Sequence, residues 1–248
     1  MAPSLVHLSA ADGVATITLD SPHNRNALSR QLMTSLADHL AAAAQDPEVR
    51  VVLLRSSGRV FCSGADLSEA FSIDGPRAIV DLQRQIATLP EPVVVELAGP
   101  VRAGGLGLVG AADVVIAADS VTFALTEVRL GLAPSAISLS LLSRLAPRAA
   151  SDIFLSGRTF GASEAAAMGL VTRTVPDDEL AGVVAETLAD LLKGSPQGLA
   201  ETKRLVNGDL LNRIERDGED AAQRSAALFA SPEAQRAMRA FLTRDKPA

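Results

Sequence analysis

At 248 residues, with 48% apolar side chains, the chain has the length and composition for one large domain, or for a core domain with a helical appendage. A formal charge of −6, no Trp, no Tyr and only seven Phe argue against a nucleic-acid surface and against aromatic stacking as the way a ligand is held. The single cysteine, Cys62, excludes an internal disulfide and a multi-cysteine metal site.

The N-terminal Met1-Ala2-Pro3-Ser4 has no basic region followed by an apolar run. The most apolar stretch, Leu106 to Ala118, is interrupted by Asp113 and is too short to span a bilayer. A cytoplasmic protein without a membrane partner is expected.

In chain order, Leu5–Ala10 and Val14–Leu19 flank Ala11-Asp12-Gly13, which predicts a β-hairpin. Ser21-Pro22-His23-Asn24-Arg25-Asn26 is a loop of turn formers, and Ser29 is placed to cap a helix running to about Ala44. Val49–Leu54 reads as a buried strand, Pro76–Thr88 as a helix, Val93–Leu97 as a strand between Pro92 and Gly99, and Asp113–Ala117 as a further short strand. Strands alternating with helices predict an α/β chain of stacked ββα-type units. From Pro147 the pattern is helical: Pro147–Leu155, Ala162–Met168, Glu179–Leu192, Pro196–Val206 and a long stretch from Arg213. Gly194-Ser195-Pro196 divides a core, 1–194, from a helical tail, 195–248.

Two segments combine β-branched strands with small-residue turns that open helices: Val60-Phe61-Cys62-Ser63-Gly64-Ala65-Asp66-Leu67 and Gly99-Pro100-Val101-Arg102-Ala103-Gly104-Gly105-Leu106-Gly107. Turns of this kind aim backbone N–H groups outward, and a helix N-terminus adds positive potential. Gly64, Gly104 and Gly105 let backbone approach a ligand closely, and a side chain at 104 is expected to disfavour the local conformation as well. A third segment, Phe123-Ala124-Leu125-Thr126-Glu127-Val128-Arg129-Leu130-Gly131-Leu132, supplies a carboxylate able to move a proton. Glu127 also admits plainer readings, as a partner for Arg129 or a helix cap.

Taken together and in this order, the three segments resemble the crotonase superfamily, the enoyl-CoA hydratase/isomerase family. The resemblance implies a crotonase-like (ClpP/crotonase) fold whose C-terminal helices, 195–248, serve oligomerisation as a homotrimer or a dimer of trimers. It implies an acyl-CoA substrate, with the Ala65 and Gly104 amides on the thioester oxygen and Glu127 as acid/base. Ala65, Asp66, Leu67 and Ser68 would follow the CoA arm, and Arg25 would meet a phosphate. Neither a metal nor a separate cofactor is implied, since coenzyme A is part of the substrate. One departure stands out: two-glutamate hydratases of the family carry a second carboxylate where this chain has Gly107. Hydration of an unsaturated acyl-CoA is the leading expectation, with a double-bond shift or another crotonase-type lyase or hydrolase reaction as the alternative.

Two more distant readings compete. Gly105-Leu106-Gly107-Leu108-Val109-Gly110 satisfies the dinucleotide pattern G-x-G-x-x-G of an NAD-binding oxidoreductase, but strand Val93–Leu97 ends too far upstream for the tight first turn that pattern needs. A non-catalytic acyl-CoA binder would keep the amides without needing Glu127. His7, His23 and His39 are scattered without metal-ligand spacing.

Overall fold

The structure, a computed structural model, describes residues 4–69 and 74–244; Met1 to Pro3 and the 70–73 and 245–248 segments lie outside the described residues. The hairpin forms as the turn residues dictate. Strands β1 (Val6–Ala11) and β2 (Val14–Leu19) pair antiparallel, with Asp12 at φ 52° and Gly13 at φ 82° supplying the two left-handed residues of a tight loop. Along β2 burial alternates, the period of a strand with one face on the core.

Helix α1 (Arg30–Gln45) starts where Ser29 Oγ accepts from Leu32 N at 3.2 Å. Strand β3 (Val51–Ser56), helix α2 (Gly75–Thr88), strand β4 (Val93–Leu97), strand β5 (Val101–Arg102), helix α3 (Gly104–Ala111), strand β6 (Val114–Ala118) and strand β7 (Thr122–Ala124) follow. A 3₁₀ turn at Glu127–Leu130 leads into helices α4 (Ser135–Arg144) and α5 (Pro147–Ser156). Strand β8 (Thr159–Gly161), helix α6 (Ala162–Ala167) and strand β9 (Arg173–Val175) precede the terminal helices α7 (Leu180–Leu192), α8 (Pro196–Val206), α9 (Gly208–Phe229) and α10 (Pro232–Arg244).

Two sheets result. The larger has the order β1-β2-β3-β4-β6-β9, parallel from β2 onward, and the smaller the order β5-β7-β8. The Val-rich runs of β3 and β4 are buried, as expected of parallel strands covered on both faces. The ββα unit is visible in β4, β5 and α3, which give one strand to each sheet and then a helix. A bridge from Cys62 to Val101 attaches the chain after β3 to the small sheet in the same manner. The two sheets thus bring the loops after β3, β5 and β7 to one place.

Beyond Gly194-Ser195-Pro196, where Ser195 Oγ accepts from Gly198 N, α9 packs on α2 and α4. Its Leu210, Ile214, Ala221 and Ala222 join the same hydrophobic core as the strands. Helix α10 builds a second, smaller cluster from Ala234, Met238 and Leu132 beside the 3₁₀ turn. Among the described residues no helix is long and apolar enough to cross a membrane.

Candidate active site

Backbone hydrogen bonds pin three sequence-distant segments side by side. Phe61 N donates to Pro100 O at 3.1 Å and Arg102 N to Cys62 O at 2.9 Å, laying the 61–65 segment along β5. On its other side Ser63 N donates to Arg25 O (3.1 Å), Leu28 N to Gly64 O (2.8 Å) and Asp66 N to Leu28 O (3.4 Å). Asn26 braces that loop, its Oδ1 accepting from Ser21 N at 2.6 Å and its Nδ2 donating to Val60 O at 2.9 Å. Ala103 N reaches Ala124 O at 3.0 Å, tying the turn before α3 to β7 just upstream of Glu127.

The contact between the two turns is close. Gly64 sits at φ 98°, and a Cβ there would fall 2.7 Å from Ala103 Cβ and 3.6 Å from Gly104 N. Glycine is required at 64 on both counts. Gly104 differs from expectation: it has no positive φ, and the strained residue is its neighbour Ala103, at φ 46° and ψ −122°. A Cβ on Gly104 would stand 3.0 Å from Leu28 Cδ1 and 3.6 Å from Ala65 N, so the Ala65 and Gly104 amides are neighbours. Neither amide has an acceptor among the described residues: the bridge to Leu28 uses Gly64 O and Asp66 N, and Gly104 is the first residue of its helix.

Glu127 opens the 3₁₀ turn that Gly131 closes in a left-handed conformation. Its Oε2 is buried with no hydrogen-bond partner among the described residues, and burial pushes its pKa up from 4.5 to about 7, against a smaller opposing pull from its own backbone N–H. Arg129, its nearest candidate partner in sequence, lies against Gly157 instead, with Nε 3.2 Å from the position of a Cβ there.

A cleft of about 1160 Å³ joins these groups, and Arg25, Ala65, Asp66, Leu67, Gly104 and Glu127 all line it. Ser68 does not line it; its N and Oγ donate to Asp66 Oδ1 at 2.9 and 2.6 Å. Asp66 Oδ2 also accepts from Asn24 Nδ2 at 3.1 Å, so the Asp66 carboxylate staples the loop. The cleft has walls that the sequence did not disclose: Ile79 of α2, Ile137 of α4, Phe229 of α9 and Phe241 of α10. Apolar periodicity, their only sequence signal, reads the same for a cleft wall as for the core.

The G-x-G-x-x-G run lies inside α3 rather than in a phosphate-binding turn. Cβ atoms added at Gly105, Gly107 and Gly110 would meet Cys62 Cβ at 2.7 Å, Ile137 Cγ2 at 2.6 Å and Ser140 Oγ at 2.9 Å. These glycines seat a buried helix against its neighbours, which accounts for the pattern without a dinucleotide. Cys62 is a buried packing side chain whose thiol burial pushes up to about 12. His7 donates to Asp20 and His39 to the Val6 carbonyl, both away from the cleft lining.

The model of the enoyl-CoA hydratase/isomerase family matches residues 9–248. The chain is similar to a solved enoyl-CoA hydratase from Mycobacterium avium, with 43% identity, a TM-score of 0.91 and 99% of each chain covered. It is 32% identical over 232 residues to the 1,2-epoxyphenylacetyl-CoA isomerase of Escherichia coli (strain K12), covering 86% of this chain and 88% of that one. It is 31% identical over 210 residues to the hydroxycinnamoyl-CoA hydratase-lyase of Pseudomonas fluorescens, covering 80% of this chain and 76% of that one. The chain therefore belongs to the enoyl-CoA hydratase/isomerase family.

Proposed function

We propose that this protein is an enoyl-CoA hydratase acting on an unsaturated acyl-CoA thioester. One observation carries the reading: two neighbouring amides and a buried carboxylate, all without partners among the described residues, share one cleft. The Ala65 and Gly104 N–H groups donate to the thioester oxygen, where negative charge gathers as the enolate forms. Preorganised donors of this kind are worth about two to three decades in rate each. Glu127 holds and returns the proton, and a pKa of about 7 lets it do both near neutrality. Backbone of the 65–67 segment and Arg25 follow the CoA arm. The chemistry needs no metal and no cofactor beyond the coenzyme A of the substrate.

A second reading, migration of the double bond, draws on the Gly107 position. Ile137 fills the space beside Gly107, so Glu127 works without a carboxylate at 107 to help hold a water. A single carboxylate suffices to carry a proton from one carbon to another. A panel of enoyl-CoAs with product analysis by mass separates the two, because hydration adds the mass of water and isomerisation does not. No turnover of any acyl-CoA would overturn both. Assembly as a homotrimer or dimer of trimers through the 195–248 segment belongs to the same proposal; its support is the exposure of Leu205 and Val206 on α8, and its test is native mass by light scattering.

A further inference from the structure

We propose that the inner wall of the cleft selects acyl groups bearing an oxygen acceptor, such as a ketone, ether or hydroxyl oxygen, and that Ser225 reads it. The inference rests on the acyl-CoA reading above and narrows its substrate class.

Ser225 lies on α9, is 5% exposed and lines the cleft. Its neighbours on that lining are apolar: Ala136 and Ile137 of α4, Ile79 of α2, and Phe229 one turn further along α9. Ser225 Oγ accepts from Ala136 N at 3.2 Å. This is a cap delivered from another helix, since Pro134 at the start of α4 provides no side-chain cap of its own. The cap uses one lone pair. A hydroxyl also carries one proton, and that proton has no acceptor among the described residues. The usual outlet for a helical serine or threonine is the carbonyl four residues back, taken here by Ser143 toward Leu139 and by Thr187 toward Val183. Ser225 makes no such bond to Ala221.

A second buried side chain beside Ala136 is also incompletely satisfied. Gln83 is fully buried and donates its Nε2 to Ala136 O at 2.9 Å and to Ile79 O at 3.2 Å, while its Oε1 has no partner among the described residues. Gln83 does not line the cleft, so of these two buried polar side chains Ser225 is the one a ligand meets. Buried polar atoms are rarely left without partners, and an unused donor on an otherwise apolar binding wall is how a pocket fixes the position of one polar ligand atom. An all-carbon acyl group would strip water from this donor and give nothing back. An acyl group with an oxygen at the matching position accepts the proton.

The test uses saturated thioesters, which undergo neither hydration nor a double-bond shift. Affinities of heptanoyl-CoA and of its 4-oxo, 5-oxo and 6-oxo analogues are measured by calorimetry with the wild-type protein, with Ser225→Ala and with Ser225→Thr. One oxo isomer is expected to bind the wild type roughly five- to tenfold tighter than heptanoyl-CoA, the scale of one net hydrogen bond. In Ser225→Ala that ratio falls to about one, and in Ser225→Thr, which keeps the hydroxyl, it persists. Heptanoyl-CoA binding with no oxo isomer preferred overturns this inference alone, and so does a preference that survives in Ser225→Ala. Failure of heptanoyl-CoA itself to bind the wild type overturns the acyl-CoA reading and this inference with it. The wild-type comparison decides even if the alanine variant folds poorly.

Discussion

Gly107 and Ile137 share one volume: a Cβ on Gly107 would stand 2.6 Å from Ile137 Cγ2 and 3.1 Å from its Cβ, with Gln83 Cδ at 3.6 Å behind. A carboxylate at 107, where the resembled two-glutamate hydratases keep theirs, is therefore excluded by a second residue as well as by the glycine. Gly107→Glu alone is expected to cost about 1–3 kcal/mol through overpacking and to add no hydration of crotonyl-CoA. Paired with Ile137→Ala, the same substitution has room, and hydration should rise above that of the single variant. Urea denaturation and product mass check both halves. A single variant that folds normally and hydrates faster would show that Ile137 simply moves aside.

Elements bounded by strong local signals were legible in the sequence. β4 spans Val93–Leu97 as expected because Pro92 and Gly99 fence a Val-rich run, and α8 spans Pro196–Val206 because Ser195-Pro196 starts it. The strand expected at Val49 begins at Val51, since Val49 N turns back to Asp46 O. The strand expected at Asp113 begins at Val114, since the Asp113 carboxylate accepts from Val93 N. Helix α4 and the two- and three-residue strands of the small sheet escaped notice. They are too short, or in α4 too rich in serine, to show a period, and the sheet's pairing joins residues some 20 to 40 positions apart. The backbone turns and Glu127 were marked by their glycines and their resemblance. Ile137, Ser225 and the α10 wall were not, because only tertiary packing brings an ordinary helix face to the cleft.

Glu127→Gln should remove about three decades of turnover while CoA-thioester affinity stays close to that of the wild type, the amide keeping shape and losing the proton. Where Glu127 acts as the base, kcat/KM in the parent should rise with pH through about 7. Stability moves the other way. The folded carboxyl titrates near 7 and the unfolded one near 4.5, so its contribution is fully present below 4.5 and is lost as pH rises through 7. The loss amounts at most to on the order of 3 kcal/mol. Denaturation of parent and variant at about pH 5 and pH 8 should thus show the variant gaining relative stability at the higher pH. Equal gaps at both would mean that Glu127 is not desolvated.

The strain at Ala103 gives a substitution expected to stabilise. At φ 46° and ψ −122° a side chain is disfavoured, and Ala103→Gly should relieve more backbone strain than it adds in unfolded-chain entropy, for a net gain of about 1 kcal/mol. Gly64→Ala should do the reverse, because φ 98° and the 2.7 Å approach to Ala103 Cβ leave neither conformation nor room. Gly104→Ala has no φ penalty, but its methyl would stand 3.6 Å from Ala65 N. It should fold and lose roughly tenfold or more in kcat/KM by crowding the donor pair. Midpoints of denaturation beside turnover separate the three. An unstable Gly104→Ala or an Ala103→Gly less stable than the parent would move the strain elsewhere.

Lys203 decides whether the terminal helices unfold with the core. Its ammonium donates to Ile86 O at 2.8 Å and Glu91 O at 2.9 Å and pairs with Asp113 Oδ2 at 2.8 Å, using all three protons. Asp113 also accepts from Val93 N at 2.7 Å and Asn207 Nδ2 at 2.8 Å, and Asn207 Oδ1 accepts from Arg144 Nη2 at 2.8 Å. Residues of α8 and the α8–α9 junction are thereby tied to the start of β4, the end of α3 and α4. Lys203 is 4% exposed, so Lys203→Met removes a charge the site cannot replace with water and leaves the Asp113 carboxylate and two carbonyls short of a donor. Breaking a buried pair from one side costs about 3–5 kcal/mol, or roughly 6–20 °C in Tm for a chain of this size. Because α9 shares the core of the strands, the loss should appear as one unfolding transition at a lower midpoint, by both circular dichroism and calorimetry. Two transitions, with the strands melting at the parental midpoint, would instead make 195–244 a separable unit.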